Sequence, residues 1–111
     1  MNIQLSGSHI ELTDAIKKYV TEKMESLQKY YPEMINVKVD LGMTTKHHNK
    51  GDELFEAKVL IHVAGHDFRA AATEHDLYVA IDEVHDELKV DLRKHKEKMR
   101  DLQRQPRPDK Q

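Results

Sequence analysis

The chain has 111 residues, 38% of them hydrophobic and 34% charged, and contains no cysteine. That length holds one domain with one modest core, which disfavours a catalytic cleft between two domains. The missing thiols exclude disulfides, thiolate metal sites and a thiol nucleophile, as expected in a reducing cytoplasm, while a formal net charge of −2 sets the total charge against a polyanionic partner.

The opening MNIQLSGSHIELTDAIKKYV carries Glu11 and Asp14 and no continuous apolar run, so neither a signal peptide nor a transit peptide is expected. No stretch is long and apolar enough to span a membrane as a helix. Ile3 and Leu5 alternate with Asn2, Gln4 and Ser6, which predicts a half-buried strand ended by Gly7. Thr13 is placed to cap a helix in which Ile16, Val20, Met24, Leu27 and Tyr31 form one apolar stripe, with Pro32 as its stop. Ile35, Val37, Val39, Leu41 and Met43 then alternate with polar residues as a second strand, and residues 44–52 (TTKHHNKGD) read as a polar loop.

From Glu53 to Ala64 the alternation is clearest: Phe55, Ala57, Val59, Ile61 and Val63 share one face, and Glu56, Lys58 and His62 the other. The tetrad Ala64, Gly65, His66, Asp67 supplies a turn, and Phe68, Ala70 and Ala72 resume the pattern as the fourth strand. After the cap Asp76, residues Leu77, Ile81, Val84, Leu88, Leu92, His95, Met99 and Leu102 recur at helical spacing to about Gln103. The predicted class is α+β, in the order β-α-β-β-β-α: a four-stranded mixed sheet, its first strand parallel to its second, with two helices packed on one face. A domain over residues 1–104 and a flexible tail over residues 105–111 complete the expected organisation.

Charge is sorted along the second helix. From Ala72 to Glu87 stand six acids and no Lys or Arg; from Lys89 to Arg104 stand seven bases against Asp91, Glu97 and Asp101. Lys89, Arg93, Lys96 and Arg100 fall in one stripe beside the apolar one, continued by Arg104, with Lys94 and Lys98 on the far flank. Cations about 5 to 6 Å apart on a rigid helix can each reach a separate phosphate. A solvated basic face that complements the helix dipole uses the same residues, but the dipole effect fades within the last turn, whereas this stripe runs about four.

Other chemistries find less support. The histidines, including His47, His48, His62 and His66, lack the spacing of a metal-ligand set, and loop or surface roles are expected of them. Ser8 and His9 are neighbours, which does not make a nucleophile and base, and four glycines form no phosphate-cradling loop. Tyr78 can stack on a base or anchor the helix. No enzyme activity, cofactor, metal or small-molecule substrate is expected.

The stretch Asp76-Leu77-Tyr78-Val79-Ala80-Ile81-Asp82, followed by Leu88, Leu92 and Arg93-Lys94-His95-Lys96, resembles the second-helix signature of the hibernation promoting factor and ribosome-associated inhibitor family, also called the sigma-54 modulation protein family. Ile3, Leu5, Ser6 and Gly7, leading into Glu11-Leu12-Thr13-Asp14-Ala15-Ile16, are similar to its first strand and helix. The resemblance implies a fold related to double-stranded-RNA-binding domains. It also implies binding of ribosomal RNA in the channel of the small ribosomal subunit where messenger and transfer RNA sit, with inhibition of translation in idle, stationary-phase cells. It carries contact roles onto Lys89, Arg93, Lys94, Lys96 and Arg100, with Lys23 and Tyr78 as further candidates, and onto a short, basic-tailed member that promotes ribosome dimers, with a second hibernation factor as a further partner. Glu87 and Asp91 stand where the family more often carries Lys and Gln. The alternative is a protein-interaction module, regulating a sigma factor or another protein through the face bearing Lys58, Leu60, His62 and Arg69.

Overall fold

The computed structural model describes residues 1–44 and 53–104. Its elements are β1 (Asn2–Ser8), α1 (Asp14–Tyr30), β2 (Asn36–Thr44), β3 (Leu54–Val63), β4 (His66–Glu74) and α2 (Leu77–Arg104). The strands form one sheet in the order β1-β2-β3-β4, with β1 parallel to β2 and the later pairs antiparallel. The order, the parallel first pair and the two covering helices match the pattern read from the sequence.

Period-two burial makes the sheet one-sided. Val37, Val39 and Leu41 of β2, Ala57, Val59, Ile61 and Val63 of β3, and Phe68 and Ala70 of β4 are buried under the helices, while Lys38, Asp40, Lys58, His62 and Arg69 stay exposed on the opposite face. From above, α1 contributes Val20, Met24 and Leu27, and α2 contributes Leu77, Ile81, Val84, Leu88 and Leu92. Each such side chain stabilises the fold by about 1.5 to 3 kcal/mol through removal of apolar surface from water. The helix starts are fixed locally. Thr13 Oγ1 accepts the Ile16 N–H at 3.2 Å, and Asp76 Oδ1 accepts the Tyr78 N–H at 2.8 Å.

Four expectations need correction. β1 does not stop at Gly7 but runs to Ser8, with Gly7 opposite Leu41. The glycine serves close approach instead, since a Cβ there would lie 3.0 Å from Leu12 Cγ. Ile35 lies just before β2 and is 45% exposed, although its N–H donates to the His62 carbonyl and its carbonyl accepts from Asn2. The β3–β4 turn is only Ala64 and Gly65, so His66 and Asp67 belong to β4, and Gly65 supplies the positive φ of 81° that the tight turn needs. Finally, the apolar stripe of α2 loses its cover: Met99 and Leu102 are 45% and 53% exposed, because helix burial ends at Leu92. His47, His48 and the tail lie outside the described residues.

Candidate nucleic-acid interface

The outer half of α2 begins at Lys89 and runs past the last buried residue, Leu92, and it carries the exposed cations Lys89, Arg93, Lys94, Lys96 and Arg100. Lys89, Arg93, Lys96 and Arg100 share the azimuth that faces the α1 side, and the eleven-residue step from the first to the last covers about 16 Å of helix. Among the described residues no ion pair engages Lys89, Arg93, Lys94 or Arg100.

Lys96 is placed differently from its neighbours. Its Nζ donates to the Tyr30 carbonyl at 3.2 Å and sits 4.9 Å from the centroid of the Tyr30 ring. Tyr30 is the last residue of α1, so Lys96 meets the negative end of that helix's dipole. A carbonyl carries no formal charge. Lys96 therefore pins the two helices together and still contributes a full positive charge to the row.

Lys23 and Tyr78 belong to a network at the other end of the helix pair. Lys23 Nζ is 3.1 Å from Asp82 Oδ1, and the Tyr19 hydroxyl donates to the same oxygen. The Tyr78 ring meets Tyr19 edge-on, with centroids 4.9 Å apart. Partial burial opposes charge on Asp82, but the hydrogen bonds from Tyr19 and Lys23 outweigh it and hold the carboxyl below its ordinary range. Donating to the Asp82 carboxylate in turn raises the pKa of both Tyr19 and Lys23. Lys23 thus shares its charge with Asp82, and Tyr78, 38% exposed, is both an anchor and a reachable ring. Ser26 Oγ, 2.9 Å from His85 Nε2, adds one more bridge between α1 and α2.

The sequence alone did not reveal Tyr19, Ser26 or the Tyr30 carbonyl as members of this arrangement. Tyr19 and Lys23 are four residues apart on one helix face, which hints at a shared partner, but the partner comes from a helix distant in sequence. The histidines go separate ways. His62 Nδ1 lies 2.6 Å from Asp67 Oδ1, and the hydrogen bond the carboxylate accepts from His62 lowers the Asp67 pKa. His66 stacks on His95 at 4.8 Å. Among the described residues no three His, Asp or Glu side chains are grouped as metal ligands.

On the opposite side, the open sheet face sets Lys38, Leu60 and Arg69 in register across β2, β3 and β4. Lys58 there is 3.7 Å from Glu56. This face mixes both signs of charge. The outer half of α2 does so far less, which makes it the more polarised surface of the two.

The chain is thus an α+β domain in which two helices cover one face of a four-stranded sheet and the second carries a cationic row on its outer half. The family described as "Sigma 54 modulation protein / S30EA ribosomal protein" matches residues 3–100 of this chain. A relative from Azotobacter vinelandii named "Ribosome hibernation promoting factor" is 34% identical over 108 residues, covering 97% of this chain and 94% of the relative. One of the same name from Escherichia coli K12 is 31% identical over 100 residues, covering 90% and 98%. The solved N-terminal domain of Thermus thermophilus Protein Y superposes with a TM-score of 0.72 at 31% identity, covering 86% of this chain and 99% of that one. The chain belongs to the sigma 54 modulation and S30EA ribosomal protein family.

Proposed function

We propose that this chain is a ribosome hibernation factor that acts in the cytoplasm by binding rather than catalysis. In this reading its domain of residues 1–104 lays the outer half of α2 on the ribosomal RNA of the small subunit, in the channel that messenger and transfer RNA otherwise occupy. Lys89, Arg93, Lys94, Lys96 and Arg100 contact phosphates; Lys23 and Tyr78 extend the contact at the inner end. Translation stops because the channel is filled, and ribosome dimers follow, with a second hibernation factor as a further partner.

The observation that carries the reading is the exposed cationic row, free of ion pairs at Lys89, Arg93 and Arg100 among the described residues. The relatives' names supply the ribosome as the polyanion. A net charge of −2 is no obstacle, since the Debye length at physiological salt is about 8 Å and a ligand on α2 feels chiefly the local charge.

Sucrose-gradient co-sedimentation with separated small and large subunits tests it. The native chain is expected with the small subunit, and Lys89→Glu/Arg93→Glu/Arg100→Glu is expected to remain at the top of the gradient with an unchanged circular dichroism spectrum. Lys96 is left out of that variant because it also holds α1. Unchanged co-sedimentation of the triple variant refutes the site. A complex that survives nuclease treatment and depends on Lys58 and Arg69 would give the activity to the sheet face and a protein partner.

A further inference from the structure

The row of cations explains contact with phosphates, but not what lies beside it. Where α2 outruns the sheet, its apolar azimuth continues without cover, and Met99 forms one wall of a cavity of about 450 Å³. Ala64, at the β3–β4 turn, and His95 of α2 line it as well. Lys96 and Arg100 stand along one rim, while Glu33 and Gln103 also line the cleft.

The His95 ring is packed among other rings, and its surroundings favour the neutral form. His95 is held by His66 stacked at 4.8 Å, by the edge of Phe68 at 5.2 Å and by Tyr31 at 6.1 Å. Burial, then the charges of His66 and Lys98, lower its pKa and so favour the neutral ring. An A-form duplex presents mainly phosphates and sugars and makes no use of such a wall. An unpaired nucleotide does, because its base needs an apolar, polarisable surface while its phosphate needs a cation. Methionine suits that role, being flexible and polarisable.

We propose that the cleft between Met99, His95 and Ala64 seats one unpaired base of the bound RNA, with the adjoining phosphates on Lys96 and Arg100. The inference rests on the nucleic-acid reading above and sharpens it: the outer end of α2 takes a single-stranded or looped segment, not a duplex. The Glu33 carboxylate repels phosphate and fixes the polarity, directing the backbone to the α2 rim and the base inward. Gln103 offers both a donor and an acceptor to the base edge. The apolar wall alone would also admit an acidic amphipathic helix. That occupant is disfavoured by Glu33, which would repel its acidic flank.

Fluorescence anisotropy on the full chain at low salt tests this, using a single-stranded RNA of about 12 nucleotides and the same strand annealed to its complement. The native chain is expected to bind the single strand more tightly. Met99→Ser should weaken single-strand binding about tenfold, the scale of one lost stacking contact, and leave duplex binding within about twofold. Met99→Leu should retain native behaviour. Arg93→Gln should weaken both probes alike, since it touches phosphate only. Equal loss on both probes with Met99→Ser, or loss on neither, overturns the cleft assignment while leaving the cationic row standing. Failure of the native chain to bind either probe or the small subunit overturns the nucleic-acid reading itself, and the cleft with it. Tighter capture of a Glu-rich amphipathic peptide, abolished by Met99→Ser, would hand the cleft to a protein.

Discussion

The two halves of α2 share one helical stripe and do opposite things with it. From Leu77 to Leu88 the stripe is core: Leu77, Ile81, Val84 and Leu88 are buried, and Asp82 is tied to Tyr19 and Lys23 of α1. From Lys89 onward, burial ends at Leu92 and the exposed surface is dominated by Lys and Arg. Acids therefore concentrate where the helix is buttressed, and bases where it projects. Had the two signs been interspersed, their fields would have cancelled within a Debye length, and the helix would have offered a polyanion nothing. One half of the element anchors, so that the other can be held out rigidly.

Core truncation breaks the contrast most strongly. Leu88→Ala should cost about 3 kcal/mol in denaturant unfolding, as removal of a fully buried leucine does, with the binding defect appearing only when the fold is lost. A cost well under 1 kcal/mol would mean that the inner half is not the anchor.

Asp82→Asn comes next, at about 1 kcal/mol, because the carboxylate is 44% exposed and its ion pair with Lys23 is screened. The sign with pH is fixed by the network. The Asp82 pKa is lowered in the fold, so its contribution is present above the ordinary carboxylate range and is lost as pH falls through the depressed folded value. Acid unfolding curves of Asp82→Asn should lack that limb. An identical pH dependence in the variant would exclude Asp82 as the strut.

His95 sits at the junction and gives a smaller, separate limb. Its lowered pKa means that the fold favours the neutral ring, so stability falls as pH drops below about 6.5 and levels off below the folded value. His95→Phe keeps a ring against Tyr31 and Phe68 and should flatten this limb in unfolding midpoints taken across that range. Smallest of all is Met99→Ala. Met99 shares the azimuth of Leu88 but is 45% exposed, so its truncation should change unfolding by less than about 0.5 kcal/mol. A loss comparable to that of Leu88→Ala would erase the boundary between the two halves.

The sequence made most of this contrast legible, for a physical reason. Ala57, Val59, Ile61 and Val63 alternate without interruption because their strand is covered on one face only. The cationic row was visible because side chains repeat every 3.6 residues along a helix. What failed to show depended on a partner elsewhere. Gly7 reads as a strand stop until Leu12 is seen against it. Ile35 and Met99 read as core because apolarity does not record where the sheet or its cover ends. In the candidate site, nothing in the sequence set Lys96 apart from the rest of its row, and nothing gave Lys23 a partner. The Tyr30 carbonyl that receives Lys96 is 66 residues away, and Asp82 lies on the other helix. The charges were readable; their engagements were not.

The salt dependence of binding to the small subunit tests the central claim most directly. With about four phosphates engaged, affinity should fall roughly a hundredfold between about 50 and about 200 mM salt, and Arg93→Gln should lower the log–log slope by about one. In the same titration Arg69→Gln, on the sheet face, should leave the slope unchanged. Binding indifferent to salt, or a slope that responds to Arg69 and not to Arg93, would contradict the account.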